Sequence, residues 1–495
     1  MRGRIGVLAA VLLAGTASLA GAQQAPLADA SLSLQEALAR ALEGSEEVLL
    51  ARAQLDATRA QVRSARSAAL PQVNTQLGYT KTLRSVFQDA GGGFTLPDSL
   101  RFEPDTLASI EDRISYLERR TPSAGLGALG SLFSDLPFGN ENTWVAGLSL
   151  TQPLFTGGRL SSSINAAEGA AEAAAASLDE AGSDIALQVK QAYYDAVLAD
   201  RSAGIVETSV ELAAEHLAQV RLRLDAGTAS ELESLTAEVE LENLRPQLVQ
   251  ARNARDLALL DLKRLVNLPA EIAVTLTTEL DGTTADGRAL ADLELPSLEQ
   301  ATAQLSRRAS LRAAEAQIAM REEQADIARS AYLPSLSLSA NFNRQAFPTD
   351  LRFPNGGEWR DDWNLGFMVQ WPLFQGFRRD AELDVASARV RQSKLQLDQL
   401  REGVRLEYER ALRELERTQA QVAAVRRTVE QAERVYELTE LRYREGLATQ
   451  LDVSNARLAL QQASINQVQS YHDAYAALAS AERALGLSPD RTTLP

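Results

Sequence analysis

The sequence predicts a mainly α-helical chain that also carries four β-strands of the transmembrane type, built as two copies of one unit. Three observations carry this prediction. Motifs recur at a fixed offset of 219 residues. Two apolar rows at seven-residue spacing run through a long stretch of each copy. At four places the hydrophobic period drops from about 3.6 to 2, as the residues below show.

The chain opens with an address. Arg2 and Arg4 precede a short apolar core, Ile5 to Ala14, and Ala20-Gly21-Ala22 offers small residues for cleavage. Residues 1–22 therefore read as a secretory signal peptide. The chain has no cysteine, which excludes lipidation at the new N-terminus, disulfides and thiolate metal sites. With 66 acidic against 50 basic residues the net charge is −16, the wrong sign for a general nucleic-acid binder. The two histidines, His216 and His472, do not match between the copies and read as helix-surface residues. No nucleophile–histidine–acid set, phosphate loop or metal-ligand cluster is found. No enzyme, cofactor or metal is expected.

The repeats span 23–294 and 295–495. Gln152-Pro153-Leu154-Phe155-Thr156-Gly157 matches Trp371-Pro372-Leu373-Phe374-Gln375-Gly376 at the offset of 219, and Leu222 to Gly227 matches Leu441 to Gly446. Upstream, Ala69-Leu70-Pro71 matches Tyr332-Leu333-Pro334 at 263, so the first copy carries 44 extra residues. These fall in the connection 85–141, with Gly91-Gly92-Gly93 and a short helix from Leu107 to Leu117. That connection reads as a lid or as surface decoration.

Each copy begins with a helix, 33–69 and 297–332. Ser33 and Glu36 stand at capping-box spacing. The helical hairpins follow at 158–266 and 377–486. In the second, Tyr408, Leu415, Val422, Val429, Tyr436 and Tyr443 recur every seven residues, and Val404, Ala411, Thr418, Val425, Ala432 and Thr439 form a companion row. The first copy answers with Val189, Ala196, Ala203, Val210, Leu217 and Leu224. Such double rows are coiled-coil seams. A helix of this extent would be ~100 Å long. Gly227 and Gly446 suit left-handed helix stops. Pro246 is expected to kink or interrupt the first return helix. The linker 267–296 holds a strand-like run, Ile272 to Thr277.

The strands are expected at about 71–84, 142–155, 334–344 and 361–374. Trp363, Leu365, Phe367, Val369 and Trp371 alternate with Asn364, Gly366, Met368 and Gln370. The other three strands alternate likewise, and Tyr79, Trp144, Phe342 and Trp363 stand where an interfacial aromatic girdle would lie. The pattern fits membrane β-barrel strands. Taken alone, it fits a soluble sheet with one buried face equally well. Four strands cannot close a barrel around a pore, whereas three chains would supply twelve.

The signal peptide, the doubled unit, the Gln-Pro-Leu-Phe-x-Gly strand exit and the Gly446-x-x-x-x-Leu451-Asp452-Val453 tip resemble the TolC outer-membrane efflux family across essentially the whole mature chain. The resemblance implies a homotrimer with a 12-stranded barrel in outer-membrane lipid and a long α-helical barrel across the periplasm. Such a duct is the exit of a tripartite efflux pump or type I secretion system. Its partners would be a periplasmic adaptor and an inner-membrane transporter.

The resemblance also places the gate at the hairpin tips. Asp452 matches an acidic constriction position, and the next such position is Asn455. The plainer alternative for Asp452 is a helix-start charge beside a positive dipole end. Tyr443 and Glu233 match a tyrosine and an acidic residue that pair across the closed entrance, but the matching arginine is Ala448 here. Arg444 or Arg442 would have to replace it. Adaptor contact is implied around Gly227, Gly446, Leu447 and Leu232. The rival reading is a soluble periplasmic coiled-coil scaffold or adaptor protein, which leaves the paired strands unexplained.

Overall fold

A computed structural model describes residues 30–84, 108–119, 141–283 and 288–487. The signal peptide 1–22, Leu107 and the glycines at 91–93 lie outside the described residues. Within the long connection, residues 110–119 form a helical stretch with Ile110, Ile114 and Leu117 exposed.

In chain order the elements are β1 (Ala30–Leu32), α1 (Leu34–Gly44), α2 (Glu46–Ser67), β2 (Gln72–Lys81), β3 (Asn142–Phe155), α3 (Arg159–Asp225), α4 (Glu231–Leu265) and β4 (Val274–Leu276). The second copy continues with α5 (Leu298–Leu305), α6 (Ala309–Ser330), β5 (Ser335–Ala346), β6 (Arg360–Gln370), α7 (Arg378–Arg444) and α8 (Gln450–Leu485). The helices α3 and α7 each run 67 residues. None of the described helices is long and apolar enough to cross a membrane.

Two differences from the sequence reading concern the leading helices, each of which is broken in two. Ser45 ends α1 in an extended conformation and its hydroxyl accepts from the Val48 amide, so it restarts the chain as α2. In the second copy the break at 306–308 brings Arg308 into a buried ion cluster. Of the two outcomes expected at Pro246, interruption does not occur, and α4 runs through it as one helix. Pro246 is exposed, so water can serve the carbonyl that lacks its amide donor. Finally, β6 stops at Gln370, whose partner Ser335 is the first residue of β5.

The chain divides into two compact units that cut across the repeats. One gathers Met1–Gln54, Ala175–Arg312 and Asp398–Pro495, and the other Leu55–Ala174 and Ala313–Leu397.

In the first unit the heptad rows are the core. Ile185, Val189, Tyr193 and Ala196 of α3 pack with Ala37, Leu38 and Ala41 of α1, Leu262 and Leu265 of α4, and Ala474 and Tyr475 of α8. Fully burying each large aliphatic side chain here stabilises by ~1.5–3 kcal/mol. Val404, Tyr408, Leu415, Val422, Val429 and Tyr443 are the buried row of α7. The strands β1 and β4 pair in parallel, Ala30 to Val274 and Leu32 to Leu276. The fully buried Tyr193 fastens them. Its hydroxyl donates to the Leu32 carbonyl at 2.9 Å and accepts from the Thr278 amide at 3.0 Å. Charges are buried only in partnership. Lys190 meets Glu482 at 2.6 Å, and Arg308 and Arg483 converge on Glu180 and Glu407.

The second unit contains an antiparallel sheet of order β2-β3-β5-β6. Its register decides which residues share a face. Thr75 pairs with Leu148, Leu148 with Phe342, and Phe342 with Trp363. Val73 pairs with Leu150, Leu150 with Ala340, and Ala340 with Leu365. The alternating apolar sets of all four strands therefore lie on one face. Gln76, Gly147, Asn343 and Asp362 pair across the other. The apolar face is uncovered along β6, where Trp363, Leu365, Phe367 and Val369 are all exposed. Tyr79 with Trp144 (5.0 Å) and Phe342 with Trp363 (4.3 Å) form aromatic cross-strand pairs toward one end of the sheet.

Candidate functional site

The hairpin tips are built by the same device twice. At the end of α3, the Thr228 amide donates to the Arg223 carbonyl (2.8 Å) and the Gly227 amide to Leu224 (2.9 Å). At the end of α7, Leu447 donates to Arg442 (2.7 Å) and Gly446 to Tyr443 (3.0 Å). Gly227 and Gly446 have φ of 71° and 74°, the left-handed stop that glycine takes without a Cβ penalty. The return helices start on hydroxyl caps. Ser230 accepts from the Glu233 amide, and Thr449 from the Asp452 amide.

Asp452 does more than begin a helix. One carboxylate oxygen accepts from the Thr449 amide (2.8 Å) and hydroxyl (2.7 Å), closing a capping box. These bonds, from the backbone first, and Arg442 hold its pKa below the usual carboxylate value. It is fully exposed and ionised, and so combines the helix-start role with an available charge. Asn455, one turn on, is exposed, as are Leu232, Leu447 and Arg444. Glu233 is half-buried.

Tyr443 is only 4% exposed and sits in a cluster with Leu217, Val220, Ala237, Leu241 and Val453, against which Ala448 packs. Its hydroxyl has no hydrogen-bond partner among the described residues. It therefore makes no hydrogen bond to Glu233 within the chain. The cation that serves it is Arg223, whose guanidinium carbon lies 4.8 Å from the ring centre. Of the two arginines expected to stand in for the one missing at Ala448, Arg444 is exposed and has no such contact to Tyr443 among the described residues. Arg442 donates instead to the Leu447 carbonyl, at 3.4 Å. Burial first, and the charge of Glu233, push the Tyr443 pKa up, against Arg223.

His216 corrects another expectation. It is not on the surface but 8% exposed, its ring 5.2 Å from that of Tyr443. Burial holds its pKa below the usual histidine value. Nearby, Arg457 of α8 is buried on Glu240 of α4 and donates to the Ser209 carbonyl at 3.1 Å. His472 lies between Asp195 (2.8 Å) and Asp473 (3.0 Å). Burial works against its charge, but the two carboxylates prevail and raise its pKa. No group of acidic or histidine side chains among the described residues is arranged to hold a metal ion.

A family model matches a segment of each repeat that contains the helical hairpin and the strand leading into it. The model described as outer membrane efflux protein matches residues 120–268 and 301–487, one segment in each repeat. The chain belongs to this outer membrane efflux protein family. Among its relatives, CyaE of Bordetella pertussis is 27% identical over 257 residues, 52% of each chain. The pyoverdine export outer membrane protein OpmQ of Pseudomonas aeruginosa is 28% identical over 338 residues, 66% of each chain. The match thus spans about half of CyaE and just under two thirds of OpmQ. Solved structures share the fold over more of the chain. The outer membrane protein VceC of Vibrio cholerae aligns with a TM-score of 0.66 and 20% identity over 92% of this chain and 96% of its own. The open-state MtrE channel of Neisseria gonorrhoeae gives 0.68 and 19% over 92% and 88%.

Proposed function

We propose that the protein is the outer-membrane exit duct of a tripartite efflux pump or a type I secretion system, a passive conduit and not an enzyme. Three copies share one barrel, each giving four strands, and their helices continue the duct into the periplasm. One observation carries the proposal. The strand register gathers every apolar alternation onto one face, and the sheet ends in two unpaired edges, β2 and β6. A spanning sheet in lipid must close to satisfy its backbone, so the edges call for further copies.

The tips form the entrance. Asp452 supplies a ring of carboxylates that favours cations, flanked by Asn455 and Glu233. Arg223 on Tyr443 takes the place of the arginine missing at Ala448. Leu232, Leu447 and Arg444, with the turns at Gly227 and Gly446, receive a periplasmic adaptor, through which an inner-membrane transporter supplies energy. The export and efflux roles in the names of OpmQ and BepC of Brucella suis, 25% identical over 335 residues, support this reading. The test is the native mass of protein extracted from outer membranes, detergent subtracted. Three chains, with precipitation on detergent removal, is the expected result. A monomer or dimer soluble without detergent would leave the soluble coiled-coil scaffold as the reading.

A further inference from the structure

In the second copy α6 and the start of α7 lie side by side. They are tied by Tyr332 to Asp380 (2.6 Å) toward one end and by Glu322 to Lys394 (2.8 Å) toward the other, so the two helices run antiparallel. Between them lies a cleft of about 570 Å³. That volume suits a small organic molecule. Its floor is apolar and made of short side chains, Ile327, Ala328 and Ala331 from α6 and Ala381, Val385 and Ala386 from α7. Every lining residue belongs to the second unit of one chain.

The charges on its walls differ from end to end. Toward the strands, Arg378 lies 3.8 Å from Glu382 and donates to the Gln375 side chain at 3.0 Å, so its charge is met. Toward the other end stand Arg321 and Arg389, at the level of the Glu322–Lys394 tie. Arg321 donates to the neutral Gln324 at 2.9 Å, and neither arginine forms an ion pair among the described residues. The nearest acids of α6 are engaged elsewhere. Lys394 holds Glu322, Asn165 donates to Glu323, and Arg329 holds Asp326. Two uncompensated guanidinium groups beside an apolar floor stand out in a chain of net charge −16. The duplication supplies a comparison, because the matching positions of the first copy are Thr58 and Ala170. Only the second copy carries the cationic end.

This polarity says what the cleft fits. A guanidinium fork recognises sulfate, phosphate or carboxylate oxygens, and the floor takes an apolar chain out of water. From Arg389 back to Ala381 the helix rises ~12 Å, the run available to such a chain. Arg389 itself stands ~17 Å along α7 from Arg378, away from the strands, so the ligand arrives from solution and not from a bilayer. We propose that the cleft between α6 and α7 is a binding site for a soluble anionic amphiphile, with its headgroup on Arg321 and Arg389 and its chain along the alanine and valine floor. The site goes beyond the exit-duct reading and does not depend on it, since one chain supplies every residue.

Because the chain has no cysteine, Ala381→Cys gives the full protein a single site for a bimane fluorophore, and Val249→Cys, at an exposed position of α4, carries the control. Both are held in phosphatidylcholine nanodiscs. Three probes share a decyl tail, decyl sulfate, decyltrimethylammonium and decyl glucoside, each kept below micelle formation. Decyl sulfate is expected to change the emission at 381 saturably and to bind about tenfold more tightly than decyltrimethylammonium. Arg321→Gln and Arg389→Gln should each weaken decyl sulfate about threefold, and the double variant about tenfold, with decyl glucoside unchanged throughout. Equal affinity for the sulfate and the ammonium, or a double variant that binds like the parent, overturns the proposal. Loss of all three probes alike in the double variant would mean that the arginines shape the cleft and hold no headgroup, and overturns it too. A matching saturable response at 249 would mean adsorption to any apolar face. Silence at 381 with every probe would mean that the cleft is closed in the assembled protein. Either result ends the assignment.

Discussion

Replacing Tyr193 by Phe is the sharpest test of how the first unit is held together. The ring stays in its fully buried place and only the hydroxyl is lost. That hydroxyl makes two bonds, but the two partners fare differently. The Leu32 carbonyl keeps the Thr277 amide at 3.2 Å. The Thr278 amide has no other acceptor at hand, and its loss of the phenolic oxygen leaves it orphaned in a half-buried position. Leaving one such donor unsatisfied costs ~1–3 kcal/mol, with partial access to water favouring the lower half of that range. A cost of ~1–2 kcal/mol corresponds to about 5–30-fold in a local opening equilibrium. Hydrogen–deuterium exchange read by mass spectrometry on the protein in detergent gives that equilibrium directly, without requiring reversible unfolding. Peptides covering β1 and β4 should exchange about 5–30-fold faster, while those covering β5 and β6 should not change. A change below about twofold at β1 and β4 would refute the claim that this hydroxyl fastens the two strands. Tyr408→Phe, which loses one bond to the Pro296 carbonyl at 2.6 Å, is the comparison.

Asp452→Asn keeps an acceptor for the Thr449 amide but removes the charge, so it should weaken cation preference in planar-bilayer conductance without loosening the tip. Asp452→Ala should do both, and equal cation preference in all three proteins would remove Asp452 from the constriction. Lys190→Met strands the Glu482 carboxylate in the interior and should destabilise by ~3–5 kcal/mol, while Lys190→Met with Glu482→Leu should recover most of it. Thermal unfolding in detergent distinguishes the two. Gly446→Ala places a Cβ on a left-handed residue and should cost ~1–2 kcal/mol, seen as faster proteolysis at the tip. The histidines give opposite pH responses. The folded pKa of His216 is lowered, so the unfolded state binds the proton more readily and stability falls as pH drops below about 6.5. That of His472 is raised, so its contribution is complete below about 6.5 and is lost as pH rises through the raised value. His216→Gln should abolish acid-induced proteolysis at the tips, and persistence of that sensitivity would exclude His216 as its source.

Periodicity made the long helices and the strands legible, because a repeat of seven or of two is written along the chain itself. The same alternation said which residues share a face but not the register, because a slip of two residues keeps every side chain on its face; the pairing of Phe342 with Leu148 and Trp363 is seen only in the structure. What remained hidden was contact between elements distant in sequence. Arg223 and Tyr443 lie on different long helices, and nothing in either heptad row says which arginine will cover the ring. Arg308 shows the same limit. It reads as an ordinary charge, yet it is buried because Glu407 and Glu180 arrive from elsewhere. The break at Ser45 was signalled by Gly44-Ser45-Glu46, a stop and a cap in succession, but the apolar periodicity on either side masked it.

The order β2-β3-β5-β6 has an arithmetic consequence. Every neighbouring pair runs in opposite directions, and the number of strands is even, so the two outer strands point opposite ways. When β6 of one copy meets β2 of the next, the seam is antiparallel like every other pairing. Any number of copies can join without a parallel seam. With an odd number of strands per chain, copies related by rotation about the ring axis would meet in a parallel seam at every junction. The meeting edges come from different repeats, so each seam has a distinct left and right partner. In such a ring each copy would give its β6 edge to one neighbour and its β2 edge to the other, so the seam would repeat head-to-tail in one circular direction. Duplicating a two-strand unit made a chain whose copies can add in one circular direction, with closure setting the final count.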